Sequence, residues 1–222
     1  MAPGILDIYA RELSGTKRKV FFSFHYADVM RVNNVRLSGE FKTKDHYNGR
    51  DVQGFYDKSL WESRKRDGEE SLRSLIRTGV ENSSVVCVLI GSQTWQRPWV
   101  RYEIARSVID GKGLLGVHLN NINHHQSQGS HPLGENPMRY LGLYKSDNGN
   151  FYLAERVSIN GSYTWKQYQK HQIAVSVPSY MTPPRTAVPV RLSDCVRIYD
   201  WASSGHSQIG NWIDTAAQAA GR

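Results

Sequence analysis

Cysteine is nearly absent: the 222-residue chain holds two thiols, Cys87 and Cys195. Two cysteines build no disulfide framework, and neither accompanies a CxxC or HxxxH pattern, so no metal site is indicated. Long apolar runs are missing as well, and nothing approaches the roughly 18 consecutive residues that a membrane helix needs. Near the start, Asp7, Arg11 and Glu12 fall where a signal peptide would carry an unbroken apolar stretch. A cytoplasmic protein without a membrane partner is therefore expected. Three nucleotide and hydrolase signatures are also absent. No GxGxxG follows the first strand, and neither GxxxxGK[ST] nor GxSxG occurs. That argues against a dinucleotide-fold oxidoreductase, a P-loop NTPase and the usual hydrolase elbow. Acidic residues are outnumbered, 20 against 28 basic, for a formal charge of +8. The basic residues are scattered, and the densest clusters, Lys17 to Lys19 and Arg64 to Arg66, are short. Scattered charge suits solubility or a small anionic ligand more than a nucleic-acid stripe, so nucleic acid is not an expected partner.

What is present is a globular composition, 39% hydrophobic with six Trp, twelve Tyr and six Phe. Lys19 to Phe24 and Ser84 to Ile90 are continuous apolar runs, the pattern of strands covered by helices on both faces. Cys87 lies in the second run and reads as a small core residue. Leu114 to Leu119 and Val196 to Tyr199 are further strand candidates, and Gly54 to Tyr56 supplies a second strand in chain order. Helical spacing separates them. Val29, Val32 and Val35 follow Asp28, a candidate N-cap, and stop at Gly39. Leu72, Leu75, Ile76 and Val80 follow Asp67 and Glu70, spaced as a capping box. Pro98 opens the next helix, with Val100, Ile104 and Val108 on one face and Gly111 at its end. Ile209, Trp212, Ile213, Ala216, Ala217 and Ala220 stripe the last helix before Gly221. Strands alternating with helices predict a doubly wound, three-layer α/β fold of the flavodoxin-like type, with about five parallel strands. Residues from about 120 to 193 break that rhythm with polar, aromatic and proline-rich stretches, and read as an insertion of long loops with a hairpin before the last strand.

Ligands of open parallel sheets bind beyond the carboxyl ends of the strands. That rule selects His25 to Asp28, Asp57 to Glu62, Gly91 to Arg97 and the residues from Asn120 onward. Phe24, His25 and Tyr26 are placed to flank a flat ring, while Asp28 reads as a helix cap. Arg31, Asn33, Asn34 and Arg36 form a polar set suited either to a pyrophosphate or ribose or to a solvated helix face. His118, His124, His125 and His131 match no metal-site spacing and read as a solvated polar loop. Trp99 and Glu103 are four residues apart and share a helix face adjoining the apolar one.

The ordered pair of patterns FxSF-x3-D, ending at Asp28, and LIGS-x2-W-x3-W-x3-E, ending at Glu103, resembles the prokaryotic TIR-like family of Thoeris antiphage systems. GFYDKSLWE and the C-terminal IYDWASSGHSQIGNWIDTAAQAAGR extend the likeness, which covers most of residues 18 to 119 and again 196 to 222. The resemblance implies a single TIR-like domain over residues 17–222, with residues 1–16 an extension and the insertion over about 120–193. It further implies an enzyme that cleaves the nicotinamide–ribose bond of NAD, with NAD as substrate and no other cofactor. Several members join the ADP-ribose into a cyclic nucleotide that signals to a partner effector. Glu103 takes the family's catalytic position, with Phe24, His25, Arg31, Asn34, Asp57, Ser92 and Trp99 as the substrate-binding set and no metal. Trp99 is expected to line the pocket beside Glu103 and not to enter the core. Asp57 and Trp61 fall in the mobile loop by which TIR domains self-associate or cover substrate. TIR domains also serve as scaffolds without catalysis, so an interaction module is the alternative.

Overall fold

A computed structural model of the chain describes residues 18–43, 47, 49–53, 63, 66–123 and 129–222. The two apolar runs are the centre of the molecule. β1 (Val20–Phe24) and β3 (Val85–Ile90) pair in parallel from Val20 against Val85 to Phe24 against Leu89, and every residue of β3 is buried. β2 (Val52–Gln53) flanks β1, while β4 (Gly113–His118) and β9 (Ile198–Asp200) extend the sheet beyond β3 in the order β2-β1-β3-β4-β9. All pairings in this sheet are parallel.

Alternate residues of these strands feed two apolar layers, because successive side chains point to opposite faces. Val20, Phe22, Cys87, Leu89, Leu115 and Val117 pack with Val32 and Val35 of α1 (Val29–Arg36) and Ile209 and Ile213 of α4 (Gly205–Ala219). On the other face Phe21, Val86, Val88 and Ile90 meet Leu72, Ile76 and Val80 of α2 (Glu69–Glu81) and Val100, Ile104 and Val108 of α3 (Pro98–Ile109). The three-layer parallel fold expected from the sequence is the one observed.

Several local expectations are corrected. Asp67 and Glu70 form no capping box: Gly68, at φ +105°, precedes α2 with no side-chain cap, and Glu70 instead pairs with Arg77 at 2.9 Å. Asp28 precedes α1 but its side chain caps nothing. The second strand is Val52–Gln53, and the expected Gly54 to Tyr56 lies outside the described residues. The last strand begins at Ile198, because Val196 turns into the α2–α3 layer instead of extending the ladder.

The insertion is more than a hairpin. β5 (Leu141–Lys145), β6 (Phe151–Ile159), β7 (Ser162–Gln167) and β8 (Val190–Arg191) form a second, antiparallel sheet in the order β7-β6-β5-β8. Asn160 at φ +51° and Gly161 at φ +80° make the two-residue turn from β6 to β7, the Asn-Gly chemistry that a tight hairpin demands. Leu141, Leu143 and Leu153 on one face of this sheet join the α2–α3 layer. Arg101 of α3 reaches Glu155 of β6 at 3.1 Å. Helix α3 is thus packed on one side by the central sheet and on the other by the second sheet. That double covering buries even its polar residues Glu103 and Ser107.

Candidate active site

The carboxyl ends of β1 and β3 and the turns after them lie side by side on one edge of the central sheet, where doubly wound folds place their ligands. Pro98 starts α3 with a φ already suited to the first helical turn, and the helix runs back under this edge. Its sheet-facing side carries Glu103 onto β1, where Ser23 Oγ donates to Glu103 Oε2 at 2.5 Å. Glu103 is 6% exposed. Burial pushes its carboxyl pKa up from 4.5 to about 8, with the Ser23 bond pulling the other way. The group is therefore mostly neutral at pH 7.

This shift carries a sign for stability. The folded chain holds the Glu103 proton to a higher pH than the unfolded chain does, so the contribution is full below pH 4.5 and drains away as pH rises towards 8. Thermal melts from pH 5 to pH 9 are expected to show this loss, on the order of a few kcal/mol, and Glu103→Gln is expected to flatten it. A variant as pH-dependent as the wild type would contradict the assignment of the shift to Glu103.

Above Glu103 the chain turns through His25 to Asp28. Asp28 is 5% exposed and its carboxylate lies over Gly91, where a built Cβ would stand 2.0 Å from Oδ2. Only glycine fits there. Asp28 Oδ1 is 3.6 Å from His131 Nε2 and 3.9 Å from Arg31 Nη1. Burial raises the Asp28 pKa, while His131, His25, Arg31 and Arg97 oppose it. For His25, burial and then Arg97 lower the pKa, and Asp28 opposes them. His131 Nδ1 lies 2.8 Å from the Pro132 carbonyl, an N–H donation that leaves Nε2 facing Asp28. Gly134 then seats the insertion on the strand-three turn, its built Cβ only 1.9 Å from the Gly91 carbonyl oxygen. The insertion therefore walls one side of the edge.

The expected residues divide accordingly. Phe24, His25 and Ser92 stand half-buried at the edge, near Gly91 and Asp28. Arg31 is buried, and its guanidinium donates to the carbonyls of Ile122 at 2.9 Å and Gly129 at 3.1 Å, so it clamps the start of the insertion. Asn34 is exposed and donates to the Met30 carbonyl one turn back. Trp99 lies in the first turn of the helix that carries Glu103. It packs half-buried against the α2–α3 core, edge-on to Tyr102 at 5.9 Å, with Lys170 Nζ 4.9 Å from its ring centroid. Glu103 points to β1, whereas the Lys170 above Trp99 reaches Glu69 of α2. Asp57, Trp61, His124 and His125 lie outside the described residues. His131 is no solvated loop residue, since it is half-buried against Asp28. Ser23 and His131 are the residues that sequence reasoning missed. Ser23 carried a signal, because a hydroxyl alone inside KVFFSF must find a buried partner. His131 carried none, because its partner lies more than a hundred positions away.

A five-stranded parallel sheet with helices on both faces, and a carboxyl group buried beneath its C-terminal edge, makes this a doubly wound α/β protein. Residues 21–124 match the family described as "Thoeris protein ThsB, TIR-like domain". A Bacillus cereus (strain MSX-D12) protein named "Putative cyclic ADP-D-ribose synthase ThsB1" is 37% identical over 201 residues, which span 89% of this chain and 99% of the relative. The chain belongs to the TIR-like ThsB family of Thoeris antiphage defence.

Proposed function

We propose that this protein cleaves the nicotinamide–ribose bond of NAD and closes the resulting ADP-ribose into a cyclic nucleotide, in keeping with the relative's name. The observation that carries the reading is Glu103, held by Ser23 beneath the ligand-binding edge. In the reaction the C1′–N bond breaks and its electron pair leaves with nicotinamide, which departs neutral. The ribose left behind is an oxocarbenium-like cation, and the ionised Glu103 carboxylate stabilises it, as carboxylates do in glycoside cleavage. A ring nitrogen or hydroxyl of the same molecule then bonds to C1′, and a hydroxyl nucleophile releases its proton. Water at that step would yield ADP-ribose instead.

Glu103 is neutral and covered in the resting chain. A cationic nicotinamide riboside beside it favours the ionised form, so substrate binding and ionisation are coupled. For the free enzyme, kcat/KM is expected to rise with pH through about 8. A buried Glu103 supports the expectation of low basal turnover that rises when its covering elements part. We place that opening in self-association and in a phage-derived trigger; most of the segment from Asp57 to Arg66, expected to take part, lies outside the described residues. The cyclic product serves a downstream effector. Turnover per molecule measured across a dilution series should fall as the protein dissociates; constant high turnover of a pure monomer would remove the assembly requirement. The central test is incubation with NAD and identification of the products by mass spectrometry. A cyclic isomer of ADP-ribose supports the reading, and intact NAD under every assembly condition overturns it.

A further inference from the structure

The second sheet has a buried face and an outward one, and the outward face is built from flat and cationic groups. Partners in its ladder share a side, so Arg156, opposite Trp165, and Tyr163, two residues before Trp165, point outward together. Gly142 and Ala154, opposite one another on β5 and β6, form a floor of small residues. The Trp165 ring lies 3.4 Å from where a Cβ on Gly142 would stand, so a larger side chain there would crowd the indole. A groove of about 430 Å³ opens on this face, lined by Arg156, Tyr163, Trp165, Pro189, Arg191 and Asp194. That volume lies within the range of small-molecule sites.

Charge and ring geometry select the occupant. The Arg156 guanidinium sits 4.6 Å from the Tyr163 ring centroid and forms no ion pair with a carboxylate among the described residues. Arg191 contacts Asp194 at 3.2 Å, so the two arginines outnumber the one acid in the groove. Tyr163 is 46% exposed and Trp165 half-buried, which leaves aromatic surface open to a ligand. Tyr163 and Trp165 stand on the same face of β7, about 7 Å apart along the strand, and both line the groove. Aromatic and guanidinium planes on an antiparallel sheet are the chemistry that stacks bases, and an unpaired arginine is the chemistry that holds phosphate. The groove is also tied to the catalytic edge. Tyr163 meets Tyr140 at 5.8 Å, and Tyr140 stacks at 5.3 Å on Trp95 in the turn that follows β3.

We propose that the outward face of the second sheet is a nucleotide-binding site, in which Tyr163 and Trp165 take the base and Arg156 the phosphate. The ligand is a nucleoside monophosphate unit, either free or at the 5′ end of a strand. The proposal does not depend on the NAD reading, because none of these residues belongs to the Ser23–Glu103 site.

Calorimetric titration of the full chain with AMP, adenosine and a 5′-phosphorylated hexathymidylate tests it. AMP should bind saturably and at least tenfold more tightly than adenosine. Arg156→Gln, a shape-preserving change, and Trp165→Ala should each weaken AMP at least tenfold while NAD turnover stays at the wild-type level. Tighter binding of the hexathymidylate than of AMP would assign the site to strand ends, and the reverse to free nucleotides. Absence of AMP and oligonucleotide binding at millimolar concentration, or binding that neither substitution changes, would overturn the proposal.

Discussion

Glu103→Gln is expected to lower nicotinamide release from NAD by at least a hundredfold while leaving the protein folded. The substitution keeps the side chain's shape but removes the charge that meets the ribose cation. Deleting one such electrostatic contact in a water-excluded site costs about 3 kcal/mol, or two orders of magnitude in rate. The fold survives because the wild-type group is itself mostly neutral at pH 7, its pKa raised to about 8. An amide can still accept from Ser23 Oγ at the distance the carboxyl now does, 2.5 Å. Its new N–H donors lack an assigned partner, so a loss of about 1 kcal/mol is expected at pH 7. At pH 9 the order reverses, because the wild type then buries a charge that the variant lacks. Nicotinamide release by chromatography, with melts at both pH values, gives the two readouts. Wild-type turnover by the variant, under conditions where wild type is active, would remove Glu103 from catalysis.

Gly134→Ala is expected to have the largest effect of any change away from Glu103. The added Cβ would stand 1.9 Å from the Gly91 carbonyl oxygen and 2.7 Å from its carbon, both backbone atoms that cannot rotate away. The loop from His131 to Glu135 must therefore lift off the strand-three turn. Doing so draws His131 from Asp28, now 3.6 Å away, and disturbs the Tyr140 hydroxyl, which donates to Glu135 at 2.8 Å. Overpacking of this kind costs about 1–3 kcal/mol, and the loss of buried polar contacts adds to it. A lowered melting temperature together with reduced NAD turnover is the expected pair of results. Unchanged melting would show that the insertion is not seated on Gly91 as described.

The central sheet was legible before any coordinates because its signals are local. Unbroken apolar runs such as VVCVLI and helical spacing such as Val100, Ile104 and Val108 are set by the chain's own periodicity, and burial on both faces requires that pattern. Glu103 was legible through its place in a spaced motif. The cap expectations at Asp28 and Asp67 fared worse, since neither side chain caps the helix that follows it. Arg31 reached carbonyls 91 and 98 positions away. By itself, then, the sequence determined the parallel core, the order of its elements and the family motif that ends at Glu103. Only the tertiary structure decided that α3 is sealed between two sheets, which turns an ordinary helical glutamate into a buried carboxyl with a pKa near 8. It alone decided too that His131 faces Asp28. The physical reason is the same for both: desolvation and side-chain contact depend on what packs from distant parts of the chain, and no periodicity records that.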